Sequence, residues 1–512
     1  MKKLPIGIQT LSKIIEGNFV YVDKTPIAYE LIQGSGYYFL SRPRRFGKSL
    51  FLDTLKEIFE GNKALFKGLY IYDKWDWDDK YPVLRVSLGA GVMKDTNKLN
   101  ARLRWILEKA ESDVAIKCTS DNPVKCFQEL IIKSYEKYNK KVVILIDEYD
   151  KTILDNITNP DIAREMRDAM KDFYAVIKDN DAYIRLVFIT GVSKFSKMNL
   201  FSGLNNLEDI TLDENYATIC GYTHHDLLTV FENHLQGADM ERVKQWYNGY
   251  NYLGERVYNP FDILLFISKK FDYRNYWWST GNPSFLIDML KTGNYFIPAL
   301  ENFEASEEIL DAFDVDRIEL IALLWQTGYL TIKEKIQTIF GVKYKLEIPN
   351  TEIQTSLNSL FITYLTTQVS EKLRHQENIL NMLLSGDMDG FKDALHTLFA
   401  AIPYSNFTNN KLPEYEGYYA SVVYAYLASL GMTIIPEDIT NLGRIDFTMI
   451  YKKMVFIFEF KLSEKATGKA LRQIKKKRYY EKYQEGKNIY LIGIEFSPKE
   501  RNVIGYEWEC VS

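Results

Sequence analysis

The feature that most constrains the fold is a strand, a tight loop and a helix in direct succession. Residues 37–40 are an aromatic and aliphatic run that predicts a buried strand, and the apolar residues within 50–59 repeat with a helical period. The loop between them reads RPRRFGKS, residues 42–49. Because the free N–H groups at a helix N-terminus bind phosphate, this succession predicts a phosphate-binding loop. Lys48 would contact the terminal phosphates, and the Ser49 hydroxyl would ligate Mg²⁺.

One position departs from the general pattern of such loops. The pattern has glycine five residues before Gly47, and this chain has Arg42 there, followed by Pro43, which lacks an N–H. Gly-Lys-Ser alone is equally compatible with an ordinary helix start. A second motif is therefore needed to distinguish a phosphate-binding loop from such a start. The residues predicted to contact a nucleotide through this loop are Arg45, Phe46, Gly47, Lys48 and Ser49.

The second motif is an acidic pair at the end of another strand. Residues 142–146 are consecutive aliphatics, which fits a strand buried on both faces of a parallel sheet, and Asp147 and Glu148 follow. An NTPase needs one carboxylate to hold Mg²⁺ and a second to orient the attacking water. We assign these roles to Asp147 and Glu148, and Thr190 at the end of a third strand would sense the terminal phosphate. The alternative is a strand that merely ends in acidic residues, but the two motifs together favour nucleotide binding.

The order of strands and helices predicts a multidomain α/β protein. Alternating strands and helices over about the first 200 residues are typical of a doubly wound domain with a parallel sheet. After residue 211 the strand signals fade, and a helix near 317–326 followed by a hairpin indicates a winged-helix-like module. A chain of 512 residues is too long for one core. We expect a P-loop domain over 1–210, a helical lid-like region over 211–300, a winged-helix-like and helical connector over 301–405, and a last domain over 406–512 that begins with a polar linker, 406–413.

Two strand-like segments of the last domain predict a hairpin. They cover 443–450 and 455–461, and a turn at 452–453 pairs 450 with 455, 448 with 457 and 446 with 459. Asp446 and Glu459 then face each other with Cβ atoms about 5 Å apart. Lys461, two residues further on, lies on the same face of the sheet.

The predicted hairpin is a candidate metal site. Opposed carboxylates repel each other, so Asp446 and Glu459 need a compensating cation, and Mg²⁺ takes oxygen ligands. Mn²⁺ would fit the same ligands. Lys461 beside the metal would activate the water that attacks phosphorus. The alternative is a salt-bridged sheet face without chemistry.

Five motifs together resemble a known family. They are YVDKT at 21–25, RPRRFGKS at 42–49, DEYD at 147–150, TGVS at 190–193 and WYNGY at 246–250. In this order they look like the bacterial AAA-ATPase-like family, in which RPRRF is the usual form of the loop. The resemblance implies an ATP-binding domain of the AAA type, often followed by a nuclease-like domain, and it implies no substrate.

The C-terminal residues resemble a nuclease core. Asp446 with Glu459-Phe460-Lys461 is similar to the PD-(D/E)XK arrangement. On that resemblance, Glu416 on a preceding helix matches an acidic residue often present there, and Gln473 on a following helix matches a supporting polar position.

A basic stretch follows this hairpin. Its members are Lys465, Lys469, Arg472, Lys475, Lys476, Lys477 and Arg478. With a net charge of −4, the chain as a whole does not attract nucleic acid electrostatically. A nucleic-acid partner would have to bind a local basic patch. Next to a metal site this patch suits contact with the phosphate backbone of DNA. A solvated surface helix is the alternative.

The cysteines and the N-terminus predict a cytosolic protein. Cys118, Cys126, Cys220 and Cys510 form no CxxC pair, which indicates buried or idle thiols in a reducing compartment. The start of the chain lacks the apolar core of a signal peptide, and no apolar run approaches the ~20 residues that span a bilayer.

These patterns predict an ATP-binding and ATP-hydrolysing domain whose nucleotide state controls a metal-dependent nuclease acting on DNA. Two alternatives stay open. One is an ATP-responsive nucleic-acid-binding or scaffold protein with an inactive nuclease fold, and the other is an NTPase that acts on protein partners. An oligomer is compatible with either.

Overall fold

The computed structural model divides the chain into two compact units. The first comprises Met1–Gly281 and Glu304–Asn350, and the second comprises Asn282–Phe303 and Thr351–Ser512. The residues that the structure describes are 1–34, 36–194, 206–278, 286, 303–310, 313–314, 317–366, 371–403, 414–440, 442–483 and 488–511. The four-part division expected from the sequence stays a prediction, and its boundaries at 300 and 405 and the linker 406–413 lie outside the described residues.

A parallel sheet organises the first unit. In the described residues it has five strands, β1 (Tyr37–Ser41), β2 (Val83–Ser87), β3 (Val142–Asp147), β4 (Ile184–Gly191) and β5 (Glu208–Asp209). Their order across the sheet is β2-β3-β4-β1-β5, and all neighbours are parallel. Every residue of β3 is buried, as its aliphatic run predicts. The predicted α/β domain with a parallel sheet is confirmed.

Ten helices described in the first unit precede, connect or follow these strands along the chain. They are α1 (Leu11–Glu16), α2 (Thr25–Gln33), α3 (Lys48–Phe59), α4 (Thr96–Asp113), α5 (Pro123–Tyr138), α6 (Lys151–Leu154), α7 (Pro160–Asp179), α8 (His224–Thr229), α9 (Met240–Tyr247) and α10 (Pro260–Ser268). Helices α5, α7 and α10 begin with Asn-Pro. In each, the asparagine side chain accepts a hydrogen bond from an N–H of the first turn, and proline takes the first position, where no N–H partner is needed.

The first unit ends in a helix and a long hairpin, as the sequence predicts. The elements are β6 (Glu304–Ser306), α11 (Glu307–Leu310), β7 (Phe313–Asp314), β8 (Arg317–Ile318), α12 (Leu320–Thr327), β9 (Thr331–Thr338) and β10 (Gly341–Glu347). Strands β6, β10 and β9 form an antiparallel sheet in that order. Gly328 ends α12 in the left-handed conformation, with φ of 90°, which glycine adopts at little cost.

The second unit contains a mixed sheet and helices. The helices are α13 (Thr351–Thr366), α14 (Lys372–Ser385), α15 (Met388–Ala400), α16 (Glu416–Ala428) and α17 (Lys469–Lys476), and the strands are β11 (Thr433–Thr440), β12 (Gly443–Tyr451), β13 (Met454–Leu462), β14 (Asn488–Ser497) and β15 (Asn502–Val511). The strands lie in sequence order, with β13 and β14 parallel and the other pairs antiparallel. Helix α16 is buried from Tyr418 to Ala428, which explains why its sequence is apolar on all sides.

The cysteine prediction is wrong for two residues. Cys118 and Cys126 form a disulfide, because the connection between α4 and α5 brings their Cα atoms within 5.3 Å. Cys220 is free and buried, and Cys510 is free and exposed.

No described helix has the length and apolar character that crossing a membrane requires. The cytosolic location stays a prediction.

Candidate functional site

The phosphate-binding loop lies between β1 and α3, as predicted. Gly47 immediately precedes α3 and has φ of 99°, and Arg45 has φ of 68°. Both values are left-handed, and glycine adopts that conformation without steric cost. Two left-handed residues so close together make the loop curl. The loop leads into the first turn of α3, whose N–H groups have no helical partners and can bind phosphate.

Arg42 explains why the loop does not need the missing glycine. Its side chain is buried, with 1% of its surface exposed. The guanidinium donates hydrogen bonds to the carbonyls of Ser41 (2.9 Å), Thr211 (2.8 Å) and Tyr216 (3.3 Å), and it stacks 3.6 Å from the centre of the Tyr252 ring. Arg42 therefore ties the outer end of the loop to residues 211–252 instead of leaving space for phosphate at that position.

Lys48 is folded back onto the loop. Its Nζ donates to the carbonyl oxygens of Arg42 (2.7 Å) and Pro43 (2.9 Å), and burial lowers its pKa. Nearby carboxylates raise that pKa again in part, among them Asp147 and Glu148. The ammonium thus lies inside the loop with neutral acceptors, and a bound phosphate would offer it a charged one.

The predicted acidic pair lies across the neighbouring strands. Strand β4 separates β1 from β3, so the carboxyl ends of all three meet at one edge of the sheet. There the Thr190 hydroxyl donates to Asp147 Oδ1 at 2.8 Å, and both side chains are buried. Burial raises the pKa of Glu148, and the negative charge of Asp147 raises it further. Glu148 lies against Gly89, where a Cβ would approach its Oε2 to 2.9 Å, so a side chain at position 89 would displace it.

A cavity of about 460 Å³ opens at this edge. Its polar lining includes the predicted residues Arg45, Gly47, Lys48, Ser49 and Glu148. Predicted Asp147, Thr190 and Phe46 are buried outside this lining, and Phe46 packs edge-on against Tyr250 at 4.8 Å between ring centres. The volume is within the range of about 300–1,000 Å³ that small-molecule sites occupy.

Sequence reasoning missed the other walls of this cavity. Residues 5 and 7–9 form one side, and Pro260, Phe261 and Leu264 form an apolar side. These segments are distant in sequence from the loop and carry no motif of their own. The periodicity of apolar residues therefore could not predict that they line the cavity. Arg45 lies over the Phe261 ring, 4.1 Å from its centre, and so joins the loop to the apolar side.

Asp150 is a second residue that the sequence reasoning left without a role. It is buried, and its Oδ2 accepts hydrogen bonds from the Val192 N–H (2.9 Å), the Ser193 N–H (2.6 Å) and the Ser193 hydroxyl (2.9 Å). Burial raises its pKa despite these hydrogen bonds. Asp150 fixes the backbone that follows β4, and its place in the DEYD motif was the available signal.

In the second unit, the β12–β13 hairpin has the predicted register. Ile450 pairs with Val455 and Thr448 with Ile457, and the turn is centred on residues 452 and 453, with Lys452 at φ of 52°. The recorded pairing ends at Phe447–Phe458, one residue short of the predicted 446–459 pair. Beyond it, the Asp446 carboxylate accepts the Phe460 N–H at 2.7 Å.

Glu459 is the centre of this second site. It is 1% exposed. Its Oε1 accepts hydrogen bonds from Lys461 Nζ at 2.8 Å and from Gln473 Nε2, whereas its Oε2 is buried with no hydrogen-bond partner among the described residues. Burial, followed by the charge of Asp446, raises the pKa of Glu459 to about 7. A buried carboxylate oxygen without a donor fits a cation ligand.

Glu416 and Lys461 complete the cluster. Glu416 Oε2 accepts the Leu462 N–H at 2.9 Å, and its Oε1 lies 4.0 Å from Lys461 Nζ. Burial lowers the pKa of Lys461, but its hydrogen bond and ion pair with Glu459 outweigh this and raise it, so the ammonium keeps its proton. Burial also raises the pKa of Asp446. The predicted residues Glu416, Asp446, Glu459, Lys461 and Gln473 thus converge, and their oxygen ligands fit Mg²⁺ or Mn²⁺.

Helix α17 supplies both Gln473 and part of the basic patch. Ala470, Leu471 and Ile474 are buried, and the exposed basic side chains lie on the other side. The structure places Lys469, Arg472, Lys475 and Lys476 on the helix, Lys465 before it, and Lys477 and Arg478 after it. All seven are exposed, and Lys475 and Arg478 form surface ion pairs with Glu509 and Glu481.

Comparison with known proteins agrees with this geometry. Residues 5–201 match a family model described as a predicted AAA-ATPase, and residues 414–506 match a model of the PD-(D/E)XK nuclease superfamily. The chain is 47% identical over 513 residues to a curated protein of Azotobacter chroococcum mcd 1, "Uncharacterized protein in vnfD 5'region". The similarity covers 100% of this chain and 99% of that relative. No solved structure matches the chain.

Proposed function

We propose a function that proceeds from one fact: this chain belongs to the AAA-ATPase-like family and carries a C-terminal domain of the PD-(D/E)XK nuclease superfamily. On our proposal, the first unit binds and hydrolyses ATP with Mg²⁺, and the second unit cleaves phosphodiester bonds of DNA with a divalent metal. The nucleotide state of the first unit regulates the second.

The observation that carries the nuclease proposal is the buried, unpaired Oε2 of Glu459 beside Asp446 and Lys461. A sheet face that was only structural would gain by giving this oxygen a donor, because an unsatisfied buried acceptor costs about 1–3 kcal/mol. Helix α17 already places Gln473 on Oε1, so the site leaves Oε2 open beside a second carboxylate. That arrangement supports a cation site rather than a closed salt-bridge network.

The residues have separable roles in this proposal. Asp446 and Glu459 hold the metal, which when bound supplies electrostatic stabilisation of the charge that develops on the phosphate. Lys461 keeps its ammonium beside the carboxylates and donates to the phosphate or orients the attacking water. Gln473 and Glu416 position Glu459 and the end of β13 through their hydrogen bonds.

The basic patch around α17 supports DNA as the substrate. Exposed lysines and arginines on the helix that also reaches Glu459 would hold a phosphate backbone close to the cluster. Such contacts position nucleic acid without reading its sequence. We therefore propose cleavage with little base preference.

The cavity supports ATP binding in the first unit. Lys48 and Ser49 would meet the phosphates, and the apolar side at Phe261 and Leu264 would cover the base. Glu148 faces the cavity with a raised pKa and would orient the attacking water, while the Asp147–Thr190 pair lies behind it.

Regulation is supported by what holds the phosphate-binding loop. The Phe46 carbonyl accepts the Gly221 N–H at 3.1 Å, the Arg44 carbonyl accepts Trp277 Nε1 at 3.2 Å, and Gly328 packs so closely on Pro43 that a Cβ would lie 2.7 Å from its Cγ. A phosphate that reshapes the loop would therefore also move the residues that contact it, Gly221, Trp277 and Gly328. We propose that this movement reaches the second unit, one segment of which begins at Thr351, and opens or closes its site.

One experiment separates the readings. The purified full-length protein is incubated with linear, circular and single-stranded DNA and Mg²⁺ or Mn²⁺, with and without ATP, and compared with the variants Lys48→Ala and Glu459→Ala. We expect metal-dependent cleavage that Glu459→Ala abolishes and that loses its response to ATP in Lys48→Ala.

Other results would support the alternatives. DNA binding without cleavage under every condition would favour a scaffold with an inactive nuclease fold. ATP turnover without DNA binding would favour an NTPase that acts on protein partners.

A further inference from the structure

The tip of the β9–β10 hairpin carries the two most exposed large apolar side chains that the structure describes. Ile339 is 93% exposed and Phe340 is 94% exposed. Exposed apolar residues are ordinary when they are single, but these two are adjacent, and at nearly full exposure they are not packed against any of the described residues.

The turn itself does not require these residues. Thr338 pairs with Gly341, so Ile339 and Phe340 are the two residues of the loop. The Thr338 hydroxyl accepts the Phe340 N–H at 3.2 Å and donates to the Gly341 carbonyl at 2.8 Å, and Gly341 takes φ of 122°. Two-residue hairpin loops favour Asn, Asp and Gly. Thr338 and Gly341 thus hold the backbone of the turn. The turn geometry therefore does not explain why residues 339 and 340 are isoleucine and phenylalanine.

The tip projects beyond the core of its unit. The last fully buried residue of β10 towards the tip is Tyr344, which pairs with Lys335. From Lys335 to Ile339 the strand advances about 13 Å. The outer part of the hairpin therefore forms a narrow ribbon.

The stem of this ribbon is basic. The two strands carry Lys333, Lys335, Lys343 and Lys345 against two acidic residues, Glu334 and Glu347. Three of these lysines pair with partly exposed glutamates: Lys333 with Glu347, Lys335 with Glu214 and Lys343 with Glu304. Surface pairs of this kind contribute about 0–1 kcal/mol, so the lysines can exchange their partners for phosphates at little cost.

We propose that the β9–β10 hairpin binds duplex DNA, with Ile339 and Phe340 wedged between base pairs from the minor groove and the stem lysines on the flanking phosphates. This inference rests on the proposed function, because it takes DNA as the substrate. Apolar wedges of this size partly unstack base steps and kink the duplex. Two side chains bury far less than the about 800 Å² per partner of a stable protein interface, which favours a base step over a protein surface.

The test uses the full-length protein without divalent metal, so that no strand is cut. A duplex with 2-aminopurine at its central step is titrated, and both anisotropy and 2-aminopurine fluorescence are recorded for wild type and for the double variant Ile339→Ser/Phe340→Ser. Trp105→Ser, at a side chain that is 55% exposed in the same unit, is the matched control.

We expect the double variant to bind the duplex about 10-fold more weakly and to lose the fluorescence rise that reports unstacking, while Trp105→Ser behaves as wild type. A second variant, Lys335→Gln/Lys343→Gln, should lower the slope of log affinity against log salt by about 2 and keep the fluorescence rise. Vesicles of phosphatidylcholine and phosphatidylserine serve as a further probe.

Three outcomes would overturn the inference. Equal affinity and equal fluorescence of the wild type and the double variant would refute it while leaving the proposed function intact, provided that the wild type cuts DNA with Mg²⁺. Loss of vesicle binding rather than of DNA binding would assign the tip to a membrane surface. A wild type that neither binds nor cuts DNA would refute the proposed function and this inference together.

Discussion

Replacing Glu459 by glutamine is expected to stabilise the metal-free second unit at neutral and alkaline pH. The folded protein raises the pKa of Glu459 from its ordinary 4.5 to about 7, because the carboxyl is buried and lies near Asp446. Ionisation is therefore easier in the unfolded chain than in the folded one. Glutamine keeps the oxygen that Lys461 and Gln473 contact and carries no charge.

The pH window follows from the sign of this shift. Below pH 4.5 Glu459 is protonated in both states, so the variant gains nothing. Between 4.5 and 7 the unfolded state ionises first, and the folded state loses stability relative to it. Above 7 the loss is complete, and a pKa difference of about 2.5 corresponds to about 3 kcal/mol. The variant should therefore be more stable by up to about 3 kcal/mol at pH 8 and by nearly nothing at pH 4.

Hydrogen–deuterium exchange of the β12 and β13 amides measures this free energy within the second unit. Peptides from both strands are followed between pH 5 and 8.5 in EDTA, with the intrinsic exchange rate corrected for pH. Mg²⁺ should slow the exchange of the wild type at pH 8 and leave Glu459→Gln unchanged, because the variant lacks the charged ligand.

Glu495→Gln is a matched control with the opposite sign. Glu495 is also 1% exposed, on neighbouring β14. Burial raises its pKa, but hydrogen bonds from Thr467 and from the Lys469 N–H outweigh this and hold the pKa below its ordinary value. Its ionised form stabilises the fold above about pH 4.5 and this stabilisation is lost as the pH falls, so glutamine should destabilise at pH 8. If Glu459→Gln also destabilises at pH 8, the assignment of Glu459 as a buried carboxylate whose charge destabilises the metal-free fold is refuted.

Three further predictions concern the first unit. Lys48→Ala should weaken ATP binding about 10- to 100-fold in calorimetry, whereas Lys67→Ala, at an exposed lysine, should leave the affinity unchanged. Equal affinities of the wild type and Lys48→Ala would show that the loop does not bind the nucleotide. Thr190→Val removes the donor to Asp147 and should slow phosphate release at least about tenfold while ATP affinity changes less than about threefold; unchanged turnover would contradict this. Arg42→Met should lower the free energy of unfolding by about 3 kcal/mol in urea titrations because three carbonyls lose a charged donor, and a loss under about 1 kcal/mol would speak against that anchor.

Much of both sites followed from residues that are close in sequence. The succession of strand, loop and helix at 37–59 and the buried strand β3 are local patterns, because apolar periodicity and the free N–H groups of a helix start depend on near neighbours. The β12–β13 register was readable for the same reason, since a two-residue turn leaves little choice of pairing once the buried face is set.

What the tertiary structure decided are the contacts over long sequence separations. Arg42 looked like a defect in a phosphate loop until its hydrogen bonds to carbonyls 169 and 174 residues away showed it to be an anchor. The cavity walls at residues 5 and 7–9 and at Pro260, Phe261 and Leu264 carry no local signal. The disulfide spans only eight residues, but it depends on the course of the connection between α4 and α5, which no sequence pattern predicted.

The same division applies to Glu459. Its place on the same hairpin as Asp446 was readable from the sequence, but its pKa of about 7 and its Oε2 without a donor among the described residues depend on burial by the whole domain and on Gln473 from another helix. Likewise, the sequence predicted a hairpin at 329–348, and only the folded chain showed that Ile339 and Phe340 are almost fully exposed. Local sequence sets which residues are neighbours along an element, and desolvation, which tunes their chemistry, is a property of the packed chain.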